Sequence, residues 1–285
     1  MCVLVVNNIL FEKVSRVSRT WRQIIHNPTF WKNKLTHDRI DIPRNILLNP
    51  ELGWRFYASL SRCNHYETNL IQNGCGEEVE VLTIHQAIEL ENNAEDLDSP
   101  WPDYPHWTVL SSGGQGWTLE MLGNDTNLKG LTRNACFSTS YNSCTKEQIV
   151  HLCFPSRILD QFQPDIRISD WYTKSPGHGA IYELNVCILD GCGNVLGKHF
   201  SFRENIDRTE DDRWRRISHT FSRYGVGARY VKFYHGGMTQ DMDMEEGWYG
   251  AKMTGSTVQV SYPDTQVTQQ LFKCTCRRGH ARLRD

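Results

Sequence analysis

The sequence lacks the short motifs by which the common catalytic sites are recognised. It contains no G-x-S-x-G nucleophile elbow, no H-E-x-x-H zinc site and no glycine-rich phosphate loop. His219, His235 and Cys144 are too far apart along the chain for their spacing to indicate a nucleophile beside a general base. These absences predict a protein that is not an enzyme and that needs no cofactor and no metal.

An excess of charge of one sign is also missing. The chain has 31 basic and 33 acidic residues and a net charge of −2, which predicts no nucleic-acid partner and no membrane-surface partner. No apolar run is long enough to span a bilayer. Residues 1–6 are apolar, but they lack the basic region and the cleavage site of a signal peptide. We therefore expect a cytoplasmic protein.

Cysteine is present without the close spacing of a disulfide scaffold or a zinc site. The ten cysteines are scattered, and only Cys274 and Cys276 form a C-x-C pair, which lies near His280. That pair is a weak metal signal. Reduced and mostly buried thiols are the favoured interpretation, and they suit the cytosol.

The clearest pattern lies between residues 218 and 260. Apolar and polar residues alternate around Val231 and Phe233 and again from Ala251 to Val260, which predicts strands with one buried face. Gly236 and Gly237 are interpreted as the end of one strand. The acidic loop 238–246 and Trp248 after it are the predicted place of a binding site.

The same stretch carries a family resemblance. HTF..YG.G.RYV.F.HGG over residues 219–237, followed by GWYG over 247–250, is similar to the end of the F-box-associated (FBA) domain. Residues 69–78 resemble the opening phrase of that domain, and K.QI..L over 146–152 and DWY over 170–172 resemble its middle. The resemblance implies a mainly β fold, an antiparallel β-sandwich of the jelly-roll, galactose-binding-like kind, which binds a ligand through its end loops.

Two short helices are predicted between residues 9 and 35, because apolar residues recur there at three- and four-residue steps. Asn27-Pro28 separates the helices, and Thr29 is the predicted cap of the second. The segment resembles the second half of an F-box, without the Leu-Pro motif that opens one. The resemblance implies that the residues contacting the Skp adaptor are Val17, Trp21, Pro28 and Trp31.

These resemblances divide the chain into a partial F-box at 1–36, a linker at 37–68, an FBA β-sandwich at 69–262 and a disordered tail at 263–285. The apolar residues Trp54, Tyr57, Leu60, Leu70 and Ile71 predict one helix and an apolar tether in the linker region. Residues 77–105 are expected to be an acidic surface loop. The ligand-binding residues implied by the resemblance are Phe137, Tyr141, Asp170, Trp171, Tyr172, Glu245, Glu246 and Trp248. For Trp171, a place in the core is the favoured alternative.

The function implied is that of a non-catalytic substrate-recognition subunit of an SCF-type E3 ubiquitin ligase. Its partners would be the Skp adaptor, the cullin scaffold and glycoproteins destined for ER-associated degradation. Glycan-binding members carry a Tyr-Trp-Lys trio before the GWYG segment, and residues 238–246 contain none of the three. The resemblance therefore implies weakened N-glycan binding. Two alternatives stay open: an adaptor-free cytosolic FBA protein with a non-glycan ligand, and a hydrolase whose site the sequence does not reveal.

Overall fold

The computed structural model describes residues 18–40, 42–50, 52–61, 65–78, 104–123, 128–241 and 246–262. The predictions made for residues 1–17, for the acidic stretch 79–103 and for the tail 263–285 lie outside these ranges. The chain divides into two units, which are described separately. The first contains the residues up to Tyr66 with 153–165 and those from Ser261 onward, and the second contains 67–152 with 166–260.

The first unit is helical. Its helices are α1 (Arg19–Ile25), α2 (Pro28–His37), α3 (Arg44–Leu47), α4 (Trp54–Leu60) and α5 (Ser156–Gln161). The predicted break at Asn27-Pro28 is confirmed, and the one helix expected in the linker region around Trp54, Tyr57 and Leu60 is α4. The predicted cap Thr29 is wrong. The N-cap is Asn27, whose Oδ1 accepts from the Thr29 amide at 2.9 Å, because Pro28 occupies the first helical position.

Aromatic side chains form the core of this helical unit. Trp31 is 1% exposed, and its Nε1 donates to the carbonyl of Ile25 at 2.7 Å, tying α2 to the end of α1. The Tyr57 hydroxyl donates to the Ile46 carbonyl at 2.8 Å, and burial raises the pKa of Tyr57 to about 12. The segment predicted as a linker thus contains two packed helices, α3 and α4.

The second unit is a sandwich of two antiparallel sheets, as predicted. One sheet has the strand order β1-β4-β9-β6-β7 and the other β2-β3-β10-β5-β8. The ten strands are β1 (Thr108–Ser112), β2 (Trp117–Met121), β3 (Ala135–Thr139), β4 (Cys144–His151), β5 (Ile166–Lys174), β6 (Ala180–Leu189), β7 (Val195–Ile206), β8 (Arg215–Phe221), β9 (Tyr230–Thr239) and β10 (Ala251–Val260). The sheet that contains β1 is called the first sheet, and the sheet that contains β2 is called the second sheet.

Strands β9 and β10 follow the predicted alternation. Val231, Phe233 and His235 are completely buried, whereas the residues between them are only half-buried. The predicted strand end at Gly236-Gly237 is wrong, because β9 continues to Thr239. A Cβ on Gly236 would lie 2.3 Å from the Cys144 carbonyl oxygen, so glycine here permits close contact between strands rather than a turn.

The beginning and the end of the second unit are adjacent. The Glu67 amide donates to the Val260 carbonyl at 2.9 Å, and the Leu70 amide donates to the Val258 carbonyl at 2.8 Å. Further along β10 the register with β5 shifts between Thr254 and Thr257, where Gly255 adopts φ +65°. This irregularity is a β-bulge on the outer face of the second sheet.

Six of the cysteines lie in the part of the chain that the structure describes, and all six are free thiols. Cys75, Cys136 and Cys144 are buried, Cys153 and Cys187 are half-buried, and Cys192 is exposed. Burial raises the pKa of the Cys136 thiol to about 12. These cysteines therefore agree with the predicted reduced thiols, and the Cys274–Cys276 pair lies outside the described residues.

Candidate ligand-binding end

Five loops meet at one end of the sandwich, because successive strands run in opposite directions. They are the β1–β2 loop (113–116), the β3–β4 loop (140–143), the β5–β6 loop (175–179), the β7–β8 loop (207–214) and the β9–β10 loop (240–250), of which 242–245 lie outside the described residues. We call this end of the sandwich the loop end. Loops grouped on a rigid scaffold are a common location for binding sites.

A closed ring of hydrogen bonds fixes the end of the β9–β10 loop. The Gly247 amide donates to Gln115 Oε1 at 2.8 Å, and the Gln115 amide donates to Ser140 Oγ at 2.9 Å. Ser140 Oγ donates in turn to the Gly247 carbonyl at 3.0 Å. Three of the five loops are therefore held together at one point.

Trp248 follows this ring and presents its side chain to solvent. Its carbonyl accepts from Ser138 Oγ at 3.4 Å and from Ser175 Oγ at 3.2 Å, while its side chain remains 39% exposed. An indole on an immobilised backbone loses little conformational entropy when it binds a ligand. The geometry thus makes Trp248 a suitable anchor for a ligand.

A second aromatic group lies beside it. The rings of His178 and Tyr249 stack with their centroids 4.3 Å apart, and His178 Nδ1 lies 2.8 Å from Asp241 Oδ2. Tyr249 is 37% exposed. His178 was not predicted as a site residue, whereas Asp241 lies in the predicted acidic loop and Tyr249 in the GWYG motif that follows it. No local sequence pattern brings residues 178 and 241 together, so the contact between His178 and Asp241 could not be predicted from the sequence.

The structure places the predicted ligand-binding residues in three locations. Trp248, Glu246 and Tyr141 are at the loop end, where Glu246 is exposed and Tyr141 is half-buried. Phe137, Asp170 and Tyr172 are buried between the sheets. Trp171 is half-buried on the outer face of the second sheet, so its predicted core position is wrong. Period-two geometry turns Trp171 outward because its neighbours on both sides face inward. Glu245 lies outside the described residues.

Asp170 is the acceptor of a buried hydrogen-bond network. Its Oδ2 accepts from the Tyr182 hydroxyl at 2.7 Å and lies 2.7 Å from His235 Nδ1, and its Oδ1 accepts from Ser256 Oγ at 3.0 Å. Tyr172 stacks on Tyr182 with centroids 4.2 Å apart. With these contacts the Asp170 carboxylate orders the interior of the sandwich. Ligand contact by Asp170 and Tyr172 stays a prediction.

Lys146 lies in an aromatic cage between the sheets. Its Nζ is 4.5 Å from the ring centroid of Trp107, 4.7 Å from that of Trp117 and 2.8 Å from that of Phe137. The side chain is completely buried, and desolvation holds its pKa well below the ordinary value even though Asp170 opposes the shift. Phe137 is therefore a wall of this cage.

The described residues contain neither a metal-binding cluster nor a membrane-spanning helix. Among them, no group of three or more His, Cys, Asp and Glu side chains is arranged to hold a metal ion. No helix within these ranges is long and apolar enough to cross a membrane.

Comparison with known proteins identifies the family. A family model described as "FBA: F-box associated region" matches residues 61–260.

The chain belongs to the FBA family.

Among its relatives, "F-box only protein 2" of Bos taurus is 31% identical over 258 residues, which cover 88% of this chain and 77% of that protein. "F-box only protein 44" of Homo sapiens is 29% identical over 252 residues, which cover 87% of each chain. A solved structure of TmCBM61 with β-1,4-galactotriose has a TM-score of 0.39 and 14% identity, covering 68% of this chain and all of that one.

The matched FBA region includes every strand of the sandwich and therefore the whole loop end. In this chain, the FBA residues that are both aromatic and exposed at the loop end are Trp248 and Tyr249. They follow Gly247, whose φ of +96° turns the chain toward the ring of hydrogen bonds. The loop end is thus the candidate ligand-binding site of this FBA protein.

Proposed function

We propose that this chain is a non-catalytic substrate-recognition subunit of an SCF-type ubiquitin ligase, which binds protein substrates through the loop end of its FBA domain. The observation that carries the proposal is the pair of exposed rings, Trp248 and Tyr249, on a backbone fixed by Ser138, Ser140 and Ser175. Relatives that match nearly the whole chain are named F-box only proteins, which supports the same class. Free thiols and balanced charge support a cytosolic location.

The helical unit supports adaptor binding through one exposed patch. Trp21 and Ile24 occupy adjacent positions on one face of α1 and are 39% and 38% exposed. A tryptophan beside an aliphatic side chain is a frequent anchor of protein–protein interfaces. Trp31, by contrast, is a core residue, so any adaptor contact by this residue would be indirect. Pro28 is half-buried, and Val17 lies outside the described residues.

Co-purification with the Skp adaptor and the cullin scaffold tests this part of the proposal. Replacing Trp21 with Ala should weaken adaptor binding about tenfold or more, as expected for an interface anchor. Leu48→Ala is the matched control, because Leu48 is a 64% exposed apolar residue of the same unit. Failure of the wild type to bind the adaptor would favour the alternative, an adaptor-free cytosolic FBA protein.

For the ligand, we propose glycoprotein substrates of ER-associated degradation with weakened binding of the N-glycan core. The loop before Gly247 lacks the family's Tyr-Trp-Lys trio, and each lost ring removes about 0.5–1.5 kcal/mol of contact energy. Carboxylates at the loop end, such as Glu246, favour a basic or polar ligand as the alternative. Titration with chitobiose should show weak binding by the wild type and tighter binding by a variant with Tyr-Trp-Lys before Gly247. Tight wild-type binding would contradict the weakening.

A further inference from the structure

A polar cavity of about 340 Å³ lies on the outer face of the second sheet, apart from the loop end. Trp171 and Arg216 line it from the paired strands β5 and β8, where they are direct partners. The segment 67–77 and the β2–β3 loop supply further wall residues, among them Glu67, Glu77 and Lys129. None of its lining residues belongs to the five loops of the loop end. We call it the face cavity.

The aromatic wall of the face cavity depends on the β-bulge in β10. Gly255 adopts φ +65°, and a Cβ there would lie 3.0 Å from Trp171 Cδ1 and 2.8 Å from Leu131 Cδ2. Glycine therefore leaves the space that the Trp171 indole occupies. The Arg216 guanidinium lies 5.8 Å from the Trp171 ring, and Arg216 Nη2 donates to Ser169 Oγ at 3.0 Å. An indole and a planar guanidinium are thus held side by side.

The charges around the face cavity are balanced. Two carboxylates, Glu67 and Glu77, and two cations, Lys129 and Arg216, line it. Glu77 already accepts from the Cys75 amide at 2.9 Å and from the Thr132 hydroxyl, and Glu67 lies 3.6 Å from Arg167. A strongly anionic or cationic ligand would therefore meet repulsion from one pair of walls.

A neutral ligand that both donates and accepts hydrogen bonds meets no such repulsion. A saccharide has this character, and the C–H face of its ring can pack against an indole while its hydroxyls pair with guanidinium, carboxylate and amide groups. The volume is at the lower end of the range of small-molecule sites. From these observations we infer that the face cavity is a second binding site, which takes a short neutral saccharide of one or two rings.

The inference goes beyond the proposed function, because the face cavity shares no residue with the loop end or with the patch of Trp21 and Ile24. It is tested on the full chain with lactose, cellobiose and chitobiose as probes, by following the indole N–H resonance of Trp171, assigned with a Trp171→Phe variant. At least one probe should shift this resonance in a saturable way. A Trp171 resonance that none of the three moves, up to 20 mM or so, would overturn the inference.

Matched variants locate the binding. Arg216→Gln should weaken the titration at least fivefold, whereas Arg203→Gln, an exposed arginine on β7 of the first sheet that pairs with Glu183 outside the cavity lining, should leave it unchanged. Trp248→Ala should also leave it unchanged; a loss in this variant would assign the saccharide to the loop end and overturn the face cavity as a site. A peptide carrying the best probe on asparagine, compared with the bare peptide, distinguishes a protein-linked from a free saccharide.

Discussion

Lys146 and His235 are direct partners on the paired strands β4 and β9, and neither side chain is exposed to solvent. Trp107 stacks on the His235 ring at 4.8 Å and also forms one wall of the Lys146 cage. His235 Nδ1 also lies 2.7 Å from Asp170 Oδ2. The interior of the sandwich thus contains a lysine, a histidine and a single carboxylate in one connected group.

This group should make the FBA domain sensitive to acid. Desolvation lowers the folded-state pKa of His235 below 6.5, with Asp170 opposing the shift and Lys146 adding to it. Below pH 6.5 the unfolded chain therefore binds more protons than the folded one, so stability falls as the pH decreases from about 7 to 5. The lowered pKa of Lys146 acts in the same direction at pH values between its folded-state pKa and 10.5.

Urea unfolding at pH 5, 6, 7 and 8, followed by tryptophan fluorescence, measures this dependence. The midpoint should rise with pH, and His235→Gln should flatten the rise between pH 5 and 7. His199→Gln is the control, because His199 lies exposed on β7. A wild-type midpoint that is highest at pH 5 would contradict the assignment.

Replacing Asp170 with Asn should destabilise the sandwich strongly. The substitution removes the charge of a buried carboxylate that accepts from the Tyr182 and Ser256 hydroxyls and contacts His235, and loss of one charged member of such a buried network costs about 3–5 kcal/mol. Asp211→Asn is the matched control, because Asp211 pairs with Arg213 at the surface and its replacement should be nearly neutral. Equal unfolding free energies for the two variants would show that the charge of Asp170 does not stabilise the buried network.

Gly236→Ala should also destabilise the sandwich, by about 1–3 kcal/mol, because the new methyl group would overlap the Cys144 carbonyl of the neighbouring strand. Gly191→Ala places its methyl group 3.8 Å from Arg229 Cγ, an ordinary contact, and should be nearly neutral. The comparison of urea midpoints for the two variants checks whether β9 and β4 need a glycine between them. A Gly236→Ala variant with the wild-type urea midpoint would mean that β4 and β9 can move apart without loss of stability.

The fold was predictable because much of it depends on local patterns. The alternation in β9 and β10 follows from short stretches of sequence. The cage around Lys146 was not predictable, because Tyr104, Trp107, Trp117 and Phe137 are brought together only by sheet pairing. Gly236 was misinterpreted because a glycine pair favours a turn unless a neighbouring strand approaches closely. The loop end was predicted in outline through Trp248, but the stacking of His178 on Tyr249 requires two distant loops.

Because the Glu67 amide donates to the Val260 carbonyl, the sandwich could also be encoded by a circularly permuted chain. Because its first and last residues are neighbours, a short peptide could join them, and the chain could be opened instead in the exposed turn 190–194 between β6 and β7. Such a permuted protein would retain every strand pairing while beginning at β7 and ending at β6. The order of the strands in space, rather than their order along the gene, is what the contacts of this sandwich require.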